Sequence, residues 1–458
     1  MNIFIFRRDL RIHDNKAMEL LRSSIIKSSE TVTPIFIFNR NQCDPKKNEY
    51  FSARCFAFLL GCLADLQKET HNSLSFYISD SDITILNALH KASKINSIAF
   101  NEDYTPFARK RDHDIKEWCN INGVNCVTSL DDYTLVSFDN NGKKPYLKFT
   151  PFYEKNKDAR FASNKNMGNT KPTFSKVKIE PVTSIKTSLE KIQKQYLEKA
   201  NPLFHQNSLK PGRKYGLEII DAIKSGKFAN FDKTKDIPSQ STTHLGPYLK
   251  FGCISLREAA IAATASRNKE LLRQLLWRSF YDQVTWYFPN TLKKQIDKKV
   301  KNEFYRNRKE SSHLWVDGKQ KADRFQAWKQ GRTGFPIVDA GMRELSETGY
   351  MHNRVRMLAA NVLIKNLHID WREGEKYFAT QLVDYHPTAN NGGWTGMAGG
   401  GVSAQPYFRI FNLAIQTKKY DKDNAYINKW LRDTKDRNRE PIVDYTTTSK
   451  EYVQNYAA

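Results

Sequence analysis

Over the first 130 residues, short apolar runs alternate with amphipathic stretches, and this pattern limits the possible folds of the chain more than any other feature of the sequence. Residues 49–69 place apolar side chains at helical spacing, and neighbouring runs read as buried strands. Parallel strands need helical crossovers, so this order predicts an α/β domain with a doubly wound parallel sheet. No G-x-G-x-x-G motif opens a helix, so a dinucleotide fingerprint is absent. The predicted strands are 2–8, 33–39, 73–79, 97–101 and 125–130.

The rest of the chain changes character twice. Residues 131–200 are polar, rich in Lys, Asn, Ser and Thr, and predict a long interdomain connector. Helical patterns alone follow from about residue 201. We therefore expect an α/β domain over 1–130, a connector over 131–200 and an all-α domain over 201–458. The predicted helices of the last part are 214–225, 254–266, 268–288, 322–330, 336–348, 351–367 and 373–381.

Composition narrows the class of partner. Apolar residues make up 40% of the 458 residues and no apolar run reaches membrane-spanning length, so we expect a soluble, cytoplasmic protein (nuclear in a eukaryote). The six cysteines show neither C-x-x-C nor zinc spacing, which indicates reduced structural thiols and no metal site. The formal net charge of +24 favours polyanions, nucleic acid before an acidic membrane surface. A generally lysine-rich proteome would give the same excess.

Three features of the helical half could carry chemistry. Arg356 and Asp384 stand beside apolar helical sequence and should pair if buried, as a salt bridge or beside an electron-rich ring. Seven of the eight tryptophans follow residue 270, which suits plain packing or electron transfer. The segment "STTHLGPYLKFGCIS" (241–255) offers hydroxyls and amides for a phosphate, or a helix-capping turn.

The stretch "DYHPTANNGGWTGMAGGG" (384–401) is rich in glycine around Trp394. Taken alone it predicts a long surface loop with a packed tryptophan. Glycine and the Asn-Asn pair also tolerate positive φ and leave room for a flat ligand to approach the backbone.

Several motifs in family order resemble the photolyase/cryptochrome flavoproteins. The resemblance covers nearly the whole chain, and within the family the chain is most similar to class I cyclobutane pyrimidine dimer photolyases. Its motifs are "FRRDLRIHDN" (6–15), "FTPFYEK" (149–155), "LLWRSFY" (275–281), "WKQGRTGFPIVDAGMREL" (328–345), "GYMHNRVRM" (349–357), "DWREGEKYF" (370–378), "ANNGGW" (389–394) and "PYFRIFN" (406–412).

The resemblance implies FAD bound inside the helical domain. It also implies an electron-transfer chain of Trp394, Trp371 and Trp315. A second, antenna chromophore (a folate, a deazaflavin or FMN) would be lined by residues 101–112, and nothing there selects among them. The implied FAD-binding residues are Phe231, Thr242, Thr243, Leu245, Gly246, Arg356, Asp384, Tyr385, His386 and Asn390.

For the reaction, the resemblance implies light-driven splitting of cyclobutane pyrimidine dimers by electron transfer from reduced FAD. The partner would be damaged DNA, with the dimer flipped into a pocket and stacked on Trp277, and the protein would be a monomer. The implied lesion and DNA contacts are Lys235, Gln274, Trp277, Arg278, Tyr281, Asn353, Arg354, Met357 and Gln416.

Some positions depart from the dimer-repair pattern and keep alternatives open. Gln274 and Ser279 stand where Glu is usual, His386 replaces an acidic residue, and Gly396 replaces a second lesion-contacting Trp. One alternative is a cryptochrome-type blue-light receptor without repair, which the short stretch after "FNLAIQ" disfavours. The other is a (6-4) photolyase, which needs histidines where this chain has Asn353 and Met357.

Overall fold

The computed structural model describes residues 1–24, 31–138, 145–159, 161, 173–176, 185–198, 209–292, 315–400, 402 and 408–457. They form two compact units. The first comprises Met1–Tyr146, Thr150–Ala229 and Thr243–Pro289. The second comprises Leu147–Phe149, Asn230–Thr242 and Asn290–Ala458. The domain boundaries at residues 130 and 200 stay predictions.

The first unit contains a twisted sheet with strand order β5-β4-β1-β2-β3-β6. All neighbours run parallel except β6, which pairs antiparallel with β3. The five predicted strands are confirmed, and the two-residue β6 lies inside the stretch predicted as a connector. The strands are β1 (Asn2–Phe6), β2 (Val32–Asn39), β3 (Ser75–Ser79), β4 (Ser97–Asn101), β5 (Asn125–Ser129) and β6 (Lys186–Thr187).

Helices cross between the parallel strands and then dominate the chain. They are α1 (Lys16–Ser24), α2 (Arg40–Cys43), α3 (Ala53–Glu69), α4 (Asp82–Ala92), α5 (Pro106–Ile121), α6 (Phe149–Asn156), α7 (Leu189–Tyr196), α8 (Arg213–Lys224), α9 (Phe231–Thr234), α10 (Gly246–Lys250), α11 (Leu256–Ala265), α12 (Lys269–Tyr287), α13 (Gly318–Lys329), α14 (Pro336–Thr348), α15 (Asn353–Lys365), α16 (Trp371–Gln381), α17 (Pro387–Met397), α18 (Leu413–Tyr420), α19 (Ala425–Trp430), α20 (Thr434–Arg437) and α21 (Tyr445–Ala457). Each of the seven predicted helices is present, with ends shifted by a few residues. None of the described helices is long and apolar enough to cross a membrane.

Each unit has its own apolar core. In the first, isoleucines of β1, β2 and β4 pack with apolar side chains of α4 and α5. In the second, α14 to α17 surround the fully buried Trp328, whose indole N–H donates to the Ala359 carbonyl oxygen at 3.1 Å. The second core holds Trp394 and, at its edge, Trp371 and Trp315.

The expectation of a surface loop at 384–401 is wrong over most of its length, because residues 387–397 form helix α17. Pro387 in the first turn presets a helical φ, and Trp394 anchors the helix in the core. Glycine disfavours a helix by roughly 1 kcal/mol per residue against alanine, so packing has overridden local propensity here. Within the described part of this stretch, positive φ occurs only after the helix, at Gly399 (79°).

Candidate functional site

Arg356 and Asp384 form the expected ion pair in the second unit. Arg356 Nη2 lies 3.0 Å from Asp384 Oδ2 and 3.2 Å from Oδ1, and Arg356 Nε donates to the Met351 carbonyl oxygen at 2.6 Å. Burial lowers the pKa of Arg356, but the charge of Asp384 outweighs it and the net shift is upward. The guanidinium is therefore a fixed cation where α15 faces the start of α17.

Tyr350 connects this ion pair to Thr242. The Arg356 guanidinium lies over the Tyr350 ring, 5.3 Å from its centroid, and the Tyr350 hydroxyl is 3.0 Å from Thr242 Oγ1. Burial raises the pKa of Tyr350 to about 12, so the phenol stays protonated at neutral pH. Sequence reasoning assigned no role to Tyr350, although it is the second residue of the quoted motif "GYMHNRVRM".

Asn390 is held by a residue that sequence reasoning missed, Glu375 of α16. The Asn390 side-chain amide donates to the Glu375 carbonyl oxygen and to Glu375 Oε1, both at 3.2 Å. Glu375 is buried, and burial raises the pKa of its carboxyl to about 7. The sequence feature that could have pointed to Glu375 is its place inside the motif "DWREGEKYF", in which only the tryptophan was assigned a role. Because its N–H groups are engaged, Asn390 presents an amide of fixed orientation.

One side of α17 has open space beside its backbone. Asn390, Gly393 and Gly396 follow one another at intervals of three residues, and we call this side the open strip. A Cβ built on Gly393 or Gly396 would meet no described heavy atom within 4 Å, although Gly396 is buried. A flat ring could therefore approach the backbone here, beside the fixed amide of Asn390, so these residues fit a flavin.

The remaining predicted cofactor residues of the second unit lie close to α17 in sequence or on a short helix. His386 is buried and its Nδ1 is 3.0 Å from the Thr388 hydroxyl, within the first turn of its own helix. Tyr385 packs, half-buried, against the second core, and Phe231 is buried at the start of α9. The role of His386 at a cofactor stays a prediction.

Trp394 packs deep in the second core. Its ring centroid is 5.0 Å from that of Phe378 and 6.2 Å from that of Trp328, both edge-on. Gly374 of α16 lies beneath it, where any Cβ would overlap the indole. Trp371 begins α16, and Trp315 precedes Val316, whose N–H donates to the His368 carbonyl oxygen at 2.9 Å. The electron-transfer order of the three predicted tryptophans stays a prediction.

Four predicted DNA contacts in the second unit differ in exposure. Asn353 is exposed at the first position of α15, whereas Met357 is half-buried against the second core. Gln416 lies on α18, and its buried Oε1 has no hydrogen-bond partner among the described residues. Arg354 forms an ion pair with Asp236, which also contacts the fifth predicted residue, Lys235.

The other lesion residues share one face of α12 in the first unit, since Gln274, Trp277, Arg278 and Tyr281 fall at helical i, i+3, i+4 and i+7 positions. The rings of Trp277 and Tyr281 stack with centroids 5.5 Å apart. Burial raises the pKa of Tyr281 to about 12. Gln274 is exposed and donates to Glu270 Oε1 at 2.8 Å.

Ser279, on the same helix, is fully buried, and its hydroxyl accepts a hydrogen bond from the Leu135 N–H at 3.1 Å. The structure thus gives this departure from the usual Glu a packing role within the first unit.

The predicted phosphate segment divides between the units: Thr242 belongs to the second, and Thr243, Leu245 and Gly246 to the first. Thr243 precedes the five-residue α10, and Ser255 at the far end closes a capping box on α11 with Glu258. The capping interpretation is therefore confirmed at residue 255. Phosphate binding stays a prediction.

The segment 101–112, expected to line an antenna chromophore, has its charged groups engaged within the first unit. Asp103 pairs with Arg8 at 2.6 Å, and Asp112 pairs with Arg7. The Arg109 guanidinium lies over Trp286, 4.3 Å from the ring centroid. These contacts do not select a folate, a deazaflavin or FMN.

Comparison with known proteins identifies the class. A family model described as "DNA photolyase" matches residues 2–171, and one described as "FAD binding domain of DNA photolyase" matches residues 271–457. The protein is thus a flavoprotein with a parallel-sheet domain and a helical FAD-binding domain. A Buchnera aphidicola protein named deoxyribodipyrimidine photo-lyase is 32% identical over 447 residues, covering 95% of this chain and 88% of the relative. The chain belongs to the DNA photolyase family.

Solved structures agree with this fold. An archaeal photolyase from Sulfolobus tokodaii, described with two FAD molecules, superposes with a TM-score of 0.78 at 30% identity and covers 100% of both chains. A class III photolyase from Agrobacterium tumefaciens gives a TM-score of 0.82 at 26% identity, covering 99% of this chain and 96% of that one. A Synechocystis cryptochrome gives 0.78 at 22% identity, covering 99% and 98%, and supports the fold alone.

Proposed function

We propose that this protein is a light-driven DNA-repair enzyme, a deoxyribodipyrimidine photo-lyase that splits cyclobutane pyrimidine dimers. The observation that carries the proposal is the open strip of α17 with its oriented amide, Asn390, inside the segment that matches a photolyase FAD-binding domain. Named deoxyribodipyrimidine photo-lyases similar to nearly the whole chain support the same substrate class.

The residues of this chain would hold and orient the cofactor, and bound FAD would supply light-driven one-electron chemistry. Arg356, fixed by Asp384, would offer a cation beside the cofactor, and Asn390, fixed by Glu375, an oriented amide. The absent side chains of Gly393 and Gly396 would let a ring lie against the backbone. Thr242, Thr243 and Gly246 would hold phosphates.

The lesion would be bound by stacking and by charge. Trp277 and Tyr281 form an aromatic platform on α12, and stacking on such a platform recovers roughly 1–3 kcal/mol per extruded base. A damaged site costs less to unstack than intact duplex, which favours the dimer. Lys235 and Arg354 would hold phosphates without reading sequence.

A blue-light receptor without repair is the second candidate, and Gly396 is the observation that favours it. The open space at this position leaves one side of the lesion without the tryptophan usual in dimer repair. A (6-4) photolyase is disfavoured because Asn353 carries a neutral amide and Met357 a thioether, so neither can donate a proton as histidine would. The second chromophore also stays a proposal, although the Sulfolobus tokodaii photolyase is described with two FAD molecules.

The deciding experiment is a repair assay. FAD-loaded, reduced protein is mixed with a duplex carrying one cyclobutane dimer, or one (6-4) photoproduct, and illuminated with blue light beside a dark control. We expect loss of the cyclobutane dimer in the light alone. Unchanged dimers with FAD bound would support the receptor, and loss of the (6-4) lesion instead would reassign the substrate.

A further inference from the structure

Asp236 binds two predicted DNA-contacting cations at once. Its Oδ1 accepts a hydrogen bond from Arg354 Nη2 at 2.7 Å, and its Oδ2 accepts one from Lys235 Nζ at 3.1 Å. All three side chains are half-buried, with exposed fractions of 15% for Arg354 and 28% for the other two. One carboxylate thus spans both cations through different oxygens.

The two cations are arranged as a phosphate group would require. Two cations converge on two oxygens of one anion, as they would on the non-bridging oxygens of a phosphodiester. The Arg354 guanidinium also stacks on Tyr420, 4.4 Å from the ring centroid, which fixes its plane. Its Nε is buried and has no hydrogen-bond partner among the described residues.

The ionisation of Asp236 is favoured by its contacts with Arg354 and Lys235. Partial burial raises the pKa of Asp236, but hydrogen bonds from Arg354 and Lys235 more than offset this, and the pKa is lowered overall. The carboxylate is therefore ionised at neutral pH, where it pairs with both cations.

We propose that Asp236 is an intramolecular competitor of DNA phosphate: it occupies a phosphodiester subsite formed by Arg354 and Lys235, and thereby limits how tightly and how long the protein holds undamaged duplex. The inference rests on the proposed DNA-binding function. Since repaired DNA is undamaged duplex, this competition also speeds product release. Phosphate must displace the carboxylate, and the displaced carboxylate then repels the backbone.

Asp236→Asn tests the proposal, because it removes the charge and keeps the shape. Affinity and dissociation rate are measured for the FAD-loaded protein on an undamaged duplex at fixed ionic strength. We expect about three- to tenfold tighter binding and slower dissociation, the range expected when roughly 1 kcal/mol of competition is removed. Asp236→Glu keeps the charge and should stay near wild type. Asp236→Ser gives a second neutral variant should Asp236→Asn fold poorly.

Two controls separate local competition from bulk charge. Asp232→Asn removes the same charge from an exposed position on α9 and should change affinity less than twofold. In a Lys235→Met/Arg354→Met background, Asp236→Asn should no longer tighten binding, because the cations it competes for are gone.

Unchanged or weaker binding by both neutral variants would overturn the proposal and make Asp236 a positioning residue for Arg354. Equal tightening by Asp232→Asn, or by Asp236→Glu, would overturn it as well. The test uses undamaged duplex alone, so it stays readable if wild-type protein repairs no dimer. That result would instead overturn the proposed function.

Discussion

At the scale of single residues, Glu375 shows how a buried acid can orient a neighbour. Its carboxyl accepts a hydrogen bond from the Asn390 amide and is buried. Sequence reasoning found Asn390 through a motif but could not find Glu375, because its role depends on α16 and α17 packing side by side. A contact between residues 15 positions apart is invisible to local periodicity.

The raised pKa of Glu375 makes stability depend on pH. The folded protein holds this proton up to about pH 7, whereas the unfolded chain loses it near its ordinary pKa of 4.5. The stabilisation from the proton is therefore complete below about pH 4.5 and is lost as pH rises to about 7. Across this window the free energy of unfolding of cofactor-free wild type should fall by about 3 kcal/mol relative to Glu375→Gln. Denaturant unfolding at several pH values measures it, and parallel curves would contradict the assignment.

At the scale of elements, the five parallel strands and the long helices were predictable from the sequence, whereas β6 and α17 were not. Alternating or helical apolar patterns mark elements that bury one face, and those patterns survive without knowledge of neighbours. In α17 the pattern is hidden by Gly392, Gly393 and Gly396, which normally signal a loop. The helix there is stabilised by tertiary contacts, among them the packing of Trp394 against Gly374 and Phe378 and the hydrogen bonds from Asn390 to Glu375.

This dependence on packing predicts opposite effects for two glycine substitutions. Gly374→Ala would force its Cβ into Trp394 and Leu363, and overpacking of this kind costs typically about 1–3 kcal/mol. Gly393→Ala meets open space and should stabilise α17 by up to about 1 kcal/mol while weakening FAD binding.

Denaturant unfolding of the cofactor-free proteins and FAD titration measure the two effects. A neutral Gly374→Ala would show that α17 is loosely packed. Undiminished FAD binding by Gly393→Ala would place the cofactor away from the open strip.

At the scale of the whole molecule, the sequence shows a net charge of +24 but does not show which basic side chains are available to contact DNA. Lys235 and Arg354 were named from a resemblance, but their shared neutralisation by Asp236 emerges only from the fold. Bulk charge thus predicts the class of partner, and geometry decides which cations are available to it.

The basic excess should make DNA affinity strongly salt-dependent. If the protein contacts at least six phosphates, its affinity for undamaged duplex should fall by about 1,000-fold or more between 50 and 200 mM salt. A dimer-containing duplex should bind more tightly at every salt concentration but show the same dependence on salt, because stacking is insensitive to salt. Binding isotherms across that range measure the slope. A change smaller than tenfold would show that the excess charge lies away from the DNA-binding surface.

The division of the first unit among three chain segments bears on how the protein is made. Its last segment ends at Pro289, well after the sheet strands β1 to β5 have been translated. The ribosome adds about 5–20 residues per second, so the sheet waits on the order of ten seconds for α11 and α12 to emerge. During that interval the side chains of the first unit that contact α11 and α12, such as Asp14, Phe138 and Phe152, lack those partners. Folding of the first unit during translation therefore passes through a stage in which its sheet strands are present and these contacts are missing, and incompletely folded states of this kind are prone to aggregation.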